Sequence, residues 1–307
     1  MSGQSDRRAA LLSLAAKAGV LKRTDERAKR AADLKEWGLR HPPPDPGSSL
    51  ILDDDGFMTE VGGLVHITAA FPIMNATDSL AAAAELIESR PTSRNAHIAA
   101  LLTLCRSALE SSAITVWLLC PPARADRRAR CVGFTQAELS AQKSFHAAER
   151  KWFEKQPERQ SEPIYADFEE HVRLFNGRLK MLENHPKKRP PNASDFPTEA
   201  GKWIDQHPPA HDRELYANGF AHGASRTYTL ASGVLHGFKW AMDYVQAGEL
   251  ETFRMVADGL AAAVGMAECA VALYEIQAQR REPRSARKRL YPTRLQPTID
   301  EWALLYT

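Results

Sequence analysis

The chain has 307 residues, of which 44% are hydrophobic and 25% charged, and its net charge is +2. That is ordinary for a globular protein, and the length can bury a sizeable core as one large domain or two small ones. No apolar run reaches the roughly 20 residues that span a bilayer without a charge inside it: the longest, 98–120, is broken by Arg106 and Glu110.

The N-terminus lacks the basic-apolar-small order of a signal peptide, since Arg7 and Arg8 lead only into a short alanine- and leucine-rich run. These features predict a cytoplasmic protein with no membrane partner. Four cysteines (Cys105, Cys120, Cys131 and Cys269) are widely spread, and no Cys-x-x-Cys pair sets two sulfurs on one turn. Neither a metal site nor a cofactor is expected, and Cys105, Cys120 and Cys269 read as small core residues.

Residues 1–40 alternate charge and alanine, with leucines at 11, 12, 14 and 34, and suggest two short helices hinged near 19–24. The prolines at 42, 43, 44 and 46 then stop any helix, because proline lacks the amide donor. The pattern predicts an N-terminal helical arm and proline-rich linker over 1–47, then an α-helical domain over 48–280. The one hairpin-like stretch is 50–61, with Asp55-Gly56 as its turn. A calcium loop is excluded there, since Ile51 and Gly62 stand where its first and last acids belong.

From residue 77 onward the pattern is helical: a short alanine-rich helix over 78–89, and a long, nearly all-apolar one over 94–120 that should run through the centre of a bundle. Pro121 and Pro122 end it. Thr135 and Glu138 have the spacing of a capping box, opening a charged amphipathic helix to about 156, and 164–184 forms another. A proline-rich loop (184–197) and a short helix (199–206) follow, then two long helices over 212–246 and 249–280. Thr298 and Glu301 make a second capping box before a short apolar helix. The expected class is all-α: a multi-helix bundle with long central helices and at most one small hairpin.

Chemistry-bearing residues form one polar seam in this apolar pattern. Arg106 and Glu110 are four apart and share a helix face. Tyr228, Ser232 and His236 make a stripe at i, i+4 and i+8, with Gly233 and Gly237 read as places where another element comes close. Glu268 is a lone carboxylate in the apolar part of the last long helix. Brought together, a carboxylate would orient the imidazole and the arginine would stabilise a developing anion, which suits metal-free phosphodiester cleavage. Buried charges are usually paired, so the same residues also suit a structural network.

The basic side chains gather in 280–294, which contributes +6 and leaves −4 elsewhere. Arg284, Arg287, Lys288 and Arg289 are its candidate phosphate-binding residues, for RNA or another nucleic acid, within a basic tail over 281–307. The alternative for that tail is a solvated charge run.

Arg106-Ser-Ala-Leu-Glu110, then Trp117-Leu-Leu, the arginine-rich 124–130, and Tyr228-x-x-x-Ser232-x-x-x-His236-Gly237 resemble uncharacterised bacterial helical proteins distantly similar to the HEPN superfamily and its abortive-infection relatives. The likeness covers about 77–275. It implies a helical bundle, frequent dimerisation and, in active members, metal-independent RNA cleavage. The active-member spacing, Arg and then His after four to six residues, occurs at Arg90 to His97 and at Arg178 to His185, outside the seam. The expected function is thus a HEPN-like ribonuclease or defence-related factor. Its alternatives are a non-catalytic interaction module whose seam fixes helix packing, and a small-ligand-binding protein with the seam lining its pocket.

Overall fold

Alanine-rich sequence with no proline before residue 42 gives one long helix at the start of the chain, not two. A computed structural model describes residues 2–58, 64–93, 95–216, 219–244, 249–280 and 287–306. Helix α1 (Ser2–Ala32) runs straight through Gly19, and α2 (Lys35–Arg40) stops at the prolines. Helices α3 (Ser49–Asp54), α4 (Leu64–Ser93) and α5 (Ile98–Leu119) follow, then α6 (Arg124–Glu154) and α7 (Pro163–Leu182). The C-terminal part holds α8 (Phe196–Gln206), α9 (Arg213–Tyr216), α10 (Phe220–Leu235), α11 (Glu249–Ala278) and α12 (Gln296–Trp302). The protein is all-α, 81% helical, with no strand among the described residues.

Several boundaries differ from expectation for identifiable reasons. The hairpin is replaced by α3: Leu50 and Asp53 are both fully buried, and residues three apart share a face on a helix but not on a strand. The turn at Asp55-Gly56 is where the sequence puts it, with Gly56 at φ +62°, and 59–61 lie outside the described residues. Helix α4 begins well before 78 and carries Pro72 within it. Neither capping box is at a helix start: Thr135 lies deep in α6, and Thr298 lies inside α12. The single helix expected over 212–246 is broken on both sides of α10, by Gly219 (φ +87°) and Gly237 (φ +68°), conformations that glycine adopts readily.

The chain divides into two units. One unit comprises 1–49, 69–120 and 191–307; the other comprises 50–68 and 121–190. In the larger unit α11 packs against α1, α5, α10 and α12, while α10 also packs against α5 and α8. By length and composition α5 and α11 could each cross a membrane, but 89% of the apolar window of α11 is buried by the protein itself. Helix α8 holds α10 in place. Gly201 lets it approach so closely that an added Cβ would lie 2.5 Å from Ala221 Cα, and the Asp205 carboxylate accepts the amides of Phe220 and Ala221.

In the smaller unit α6 packs on α7 through Phe153, Tyr165, Phe168, Phe175 and the buried ring of His146. A second centre is ionic. Arg127, nearly fully buried, grips the fully buried Asp53 carboxylate through Nε and Nη2, and its Nη1 donates to the carbonyls of Pro121 and Pro122.

Candidate functional site

Four of the six seam residues meet. The i, i+4 spacing puts Arg106 and Glu110 on the face of α5 that meets α10, and Tyr228 and Ser232 answer from α10. Arg106 Nε donates to Ser232 Oγ at 2.7 Å, its Nη2 donates to the Tyr228 hydroxyl at 2.9 Å, and its Nη2 lies 3.3 Å from Glu110 Oε2. The guanidinium also lies over the Tyr228 ring, 4.7 Å from its centroid. Ser232 Oγ donates in turn to the Tyr228 carbonyl at 2.7 Å. Burial pushes the Glu110 carboxyl above its ordinary value, and Arg106 and the Tyr228 hydroxyl only partly hold it down.

His236 does not join them. Helix α10 ends in a Schellman turn: the Phe238 amide donates to the Gly233 carbonyl, and the Gly237 amide to that of Val234. Gly237 supplies the left-handed residue this turn needs, so its role is backbone conformation and not close approach, and nothing lies within 4 Å of where its Cβ would be. His236 is left exposed at the helix end with its ring beside Phe238. Gly233 is a packing glycine as expected, with the Trp240 ring 2.8 Å from the position of its Cβ.

Glu268 belongs to a different network. It is fully buried in α11 and accepts Arg30 from α1, Arg294 from the C-terminal segment and His211 from the turn before α9. Arg30 also bonds Asp212 and Arg294 bonds Asp33, both at 2.6 Å, while His211 Nδ1 lies 2.7 Å from Thr298 Oγ1. Burial alone would raise the Glu268 carboxyl, but the His211 and Arg30 hydrogen bonds and charges overcome it and hold the group at about 2.

Two turns further along α11, Glu275 repeats the arrangement. It is buried and accepts Trp37 Nε1 at 2.7 Å, Gln279 Nε2 at 3.0 Å and a guanidinium nitrogen of Arg287. Of these partners the sequence singled out only Arg287, and that as a phosphate ligand. Arg287, one of the candidate phosphate ligands, is committed instead to this buried carboxylate. Its side chain is only 3% exposed, and it donates to the carbonyls of Pro42 and Pro43 as well. Lys288 and Arg289 are exposed as expected, and Arg284 lies outside the described residues. Together with Arg280, Lys288 and Arg289 border a polar cavity of about 400 Å³ that Gln279, Tyr291 and Gln296 also line.

The four cysteines are buried, and burial pushes the Cys105 thiol up to about 12, far from a reactive thiolate at neutral pH. Among the described residues no three of His, Cys, Asp and Glu come together in a way that could hold a metal ion. No family model, no curated protein and no solved structure matches this chain.

The seam can therefore clamp α5 to α10, and the imidazole expected to serve as its base is not part of the cluster. Replacing Arg106 by alanine strands Glu110 and removes hydrogen bonds to a charged donor, so urea unfolding should report a loss of about 1.5–3 kcal/mol. His236→Ala should stay within about 0.5 kcal/mol of the parent, as exposed substitutions do.

Proposed function

We propose that this chain is a non-catalytic helical interaction module, with a phosphate-bearing partner, RNA or another nucleic acid, held at the basic rim of its C-terminal segment. One observation carries the first half of this reading: the four residues that meet in the seam are engaged with one another. Arg106 spends its donors on Ser232, Tyr228 and Glu110, and the Ser232 hydroxyl proton is committed to a carbonyl. A nucleophile needs an adjacent base to take its proton, and the one imidazole of the stripe, a turn beyond Ser232, is exposed beside Phe238. The second half rests on Lys288 and Arg289, exposed beside a polar cavity and suited to phosphates without base readout.

Fluorescence anisotropy with a labelled single-stranded RNA tests the partner. The double variant Lys288→Glu/Arg289→Glu should bind more weakly and flatten the dependence of log Kd on log salt, by about 0.7 per lost phosphate contact. Deleting 281–294 would be a poorer probe, because it also removes Arg287 and Arg294 from buried carboxylates. Equal binding by parent and variant, or none by either, would leave the segment a structural strap alone.

A second reading, metal-independent RNA cleavage of the HEPN-like kind, is favoured by one feature: Arg106 and Glu110 keep 20% and 24% of their side-chain surface exposed. Incubating the same RNA with the parent chain in chelator separates the two. Cleavage that disappears in Arg106→Lys, which keeps the charge but not the planar fork, would make the seam catalytic; intact RNA supports the module.

A further inference from the structure

Helices α1, α10 and α11 also leave a cavity of about 230 Å³ in the larger unit. Gly223 and Ala224 on α10 and Ala261 and Ala262 on α11 line it together with Phe220 and Thr227. Gly223 is the informative one. Glycine inside a helix is unfavourable, and the usual reasons for it are missing at this position. Its φ is not positive, and nothing lies within 4 Å of the position its Cβ would take. Gly201 and Gly233, by contrast, are pressed by neighbours at 2.5 and 2.8 Å. Gly223 is itself exposed, so the space beside it is open to solvent, and a larger side chain at 223 would occupy it.

Charge of both signs is arranged around that space, with Arg27 and Arg226 both acting on Asp258. Arg27 enters from α1, oriented by a hydrogen bond from Nη1 to the Ala257 carbonyl at 3.2 Å, and Arg226 stands exposed at the α10 side. Asp258 lies on the α11 side, yet among the described residues neither guanidinium closes on it as an ion pair. Burial lowers the Arg27 pKa, with Asp258 opposing this and Arg23 and Arg30 adding to it, so the site gains from an incoming anion.

We propose that this cavity is a binding site for a small organic oxyanion, a carboxylate or a phosphate monoester, that carries a hydrogen-bond donor at its other end. Arg27 and Arg226 take the anionic head, for which the planar guanidinium fork is suited. Asp258 takes the donor, a hydroxyl or an ammonium. Gly223 and the alanines leave room for the carbon skeleton between them. This site is independent of the basic rim at Lys288 and Arg289 and of the seam on α5.

The test uses the full-length chain with inorganic phosphate, O-phosphoserine and glutamate as probes, read by isothermal titration calorimetry and thermal shift. O-phosphoserine or glutamate should bind saturably, with Kd on the order of millimolar or tighter, and raise Tm; which of the two binds more tightly assigns the head group. Gly223→Leu, at an exposed helical position with no neighbour to clash with, should keep or raise the parent Tm and lose the binding. Arg27→Gln should weaken it by about tenfold or more, the worth of a hydrogen bond to a charged group. The proposal is overturned if no probe binds saturably, or if folded Gly223→Leu binds as the parent does. It is equally overturned if the binding falls with Lys288→Glu instead, since the anion would then sit at the basic rim.

Discussion

Glu268→Gln should lower the stability of the larger unit by about 3 kcal/mol at neutral pH, one of the two largest effects expected of a single substitution in this chain. Two routes lead to that size. Breaking a buried ion pair typically costs about 3–5 kcal/mol, and here Arg30 keeps Asp212 and Arg294 keeps Asp33, which places the loss at the low end. Independently, a carboxyl held at about 2 in place of its ordinary 4.5 contributes about 3 kcal/mol when both states are ionised. The folded pKa lies below the unfolded one, so the unfolded chain takes up the proton first. The stabilisation is therefore complete above 4.5 and fades as the pH falls toward 2. Urea unfolding of parent and variant should show a gap that is full at pH 7 and closes in acid. A gap independent of pH would mean that packing, not charge, holds the site.

The second large effect belongs to the smaller unit. Arg127→Met leaves the Asp53 carboxylate buried with only Arg124 to face it, a side chain 47% exposed at 3.2 Å. It also leaves the carbonyls of Pro121 and Pro122 without the donor that Arg127 supplied. A loss of about 3–5 kcal/mol is expected, visible as faster amide hydrogen exchange along the start of α6. Burial already raises the Asp53 carboxyl even with Arg127 present. Protonation therefore favours the folded form, and the variant should recover part of its loss as the pH falls through that raised pKa. The double variant Arg127→Met/Asp53→Asn should be less damaged than the two single losses added together, because each removes the same pair. Additive losses would show that the two side chains act separately.

The two long apolar helices, α5 and α11, were legible because their signal is local and repeated. Apolar residues nearly all round 98–119 and 250–278 leave no alternative to buried helices, and proline or glycine marks most ends. The contact of Arg106 and Glu110 with Tyr228 and Ser232 was legible for the same reason, since four-residue spacing fixes a face wherever the helix continues. His236 keeps its place one turn past Ser232 but, as the last residue before the Gly237 turn, is exposed beside Phe238. Gly237 was visible in sequence, but whether a glycine yields to a neighbour or ends a helix depends on a turn the pattern does not record. Leu50-Ile-Leu52 reads as strand by propensity, yet burial of Leu50 together with Asp53 overrides it.

The partners of Glu268 could not be read at all. Arg30, His211 and Arg294 sit in different elements, and no period connects them. A cluster of arginines likewise looks the same whether it is solvated or folded back onto buried acids. The one available clue lay in α11 itself, where Glu268 and Glu275 stand seven residues apart, two turns along one face of a helix too apolar to leave them unpaired.

Those two carboxylates also bear on how the chain reaches its fold. Glu268 is joined to Arg30, and Glu275 to Trp37, each across 238 positions of sequence. Contacts of such separation close very large loops, and their entropic cost must be met before the contact rewards it. The ends of the chain are thus expected to dock late, onto an α5–α10–α11 assembly that is already formed, in the manner of a clasp closing over a finished bundle. Substitutions at Arg30 or Trp37 should accordingly speed unfolding while barely slowing folding, the kinetic mark of interactions made after the rate-limiting step.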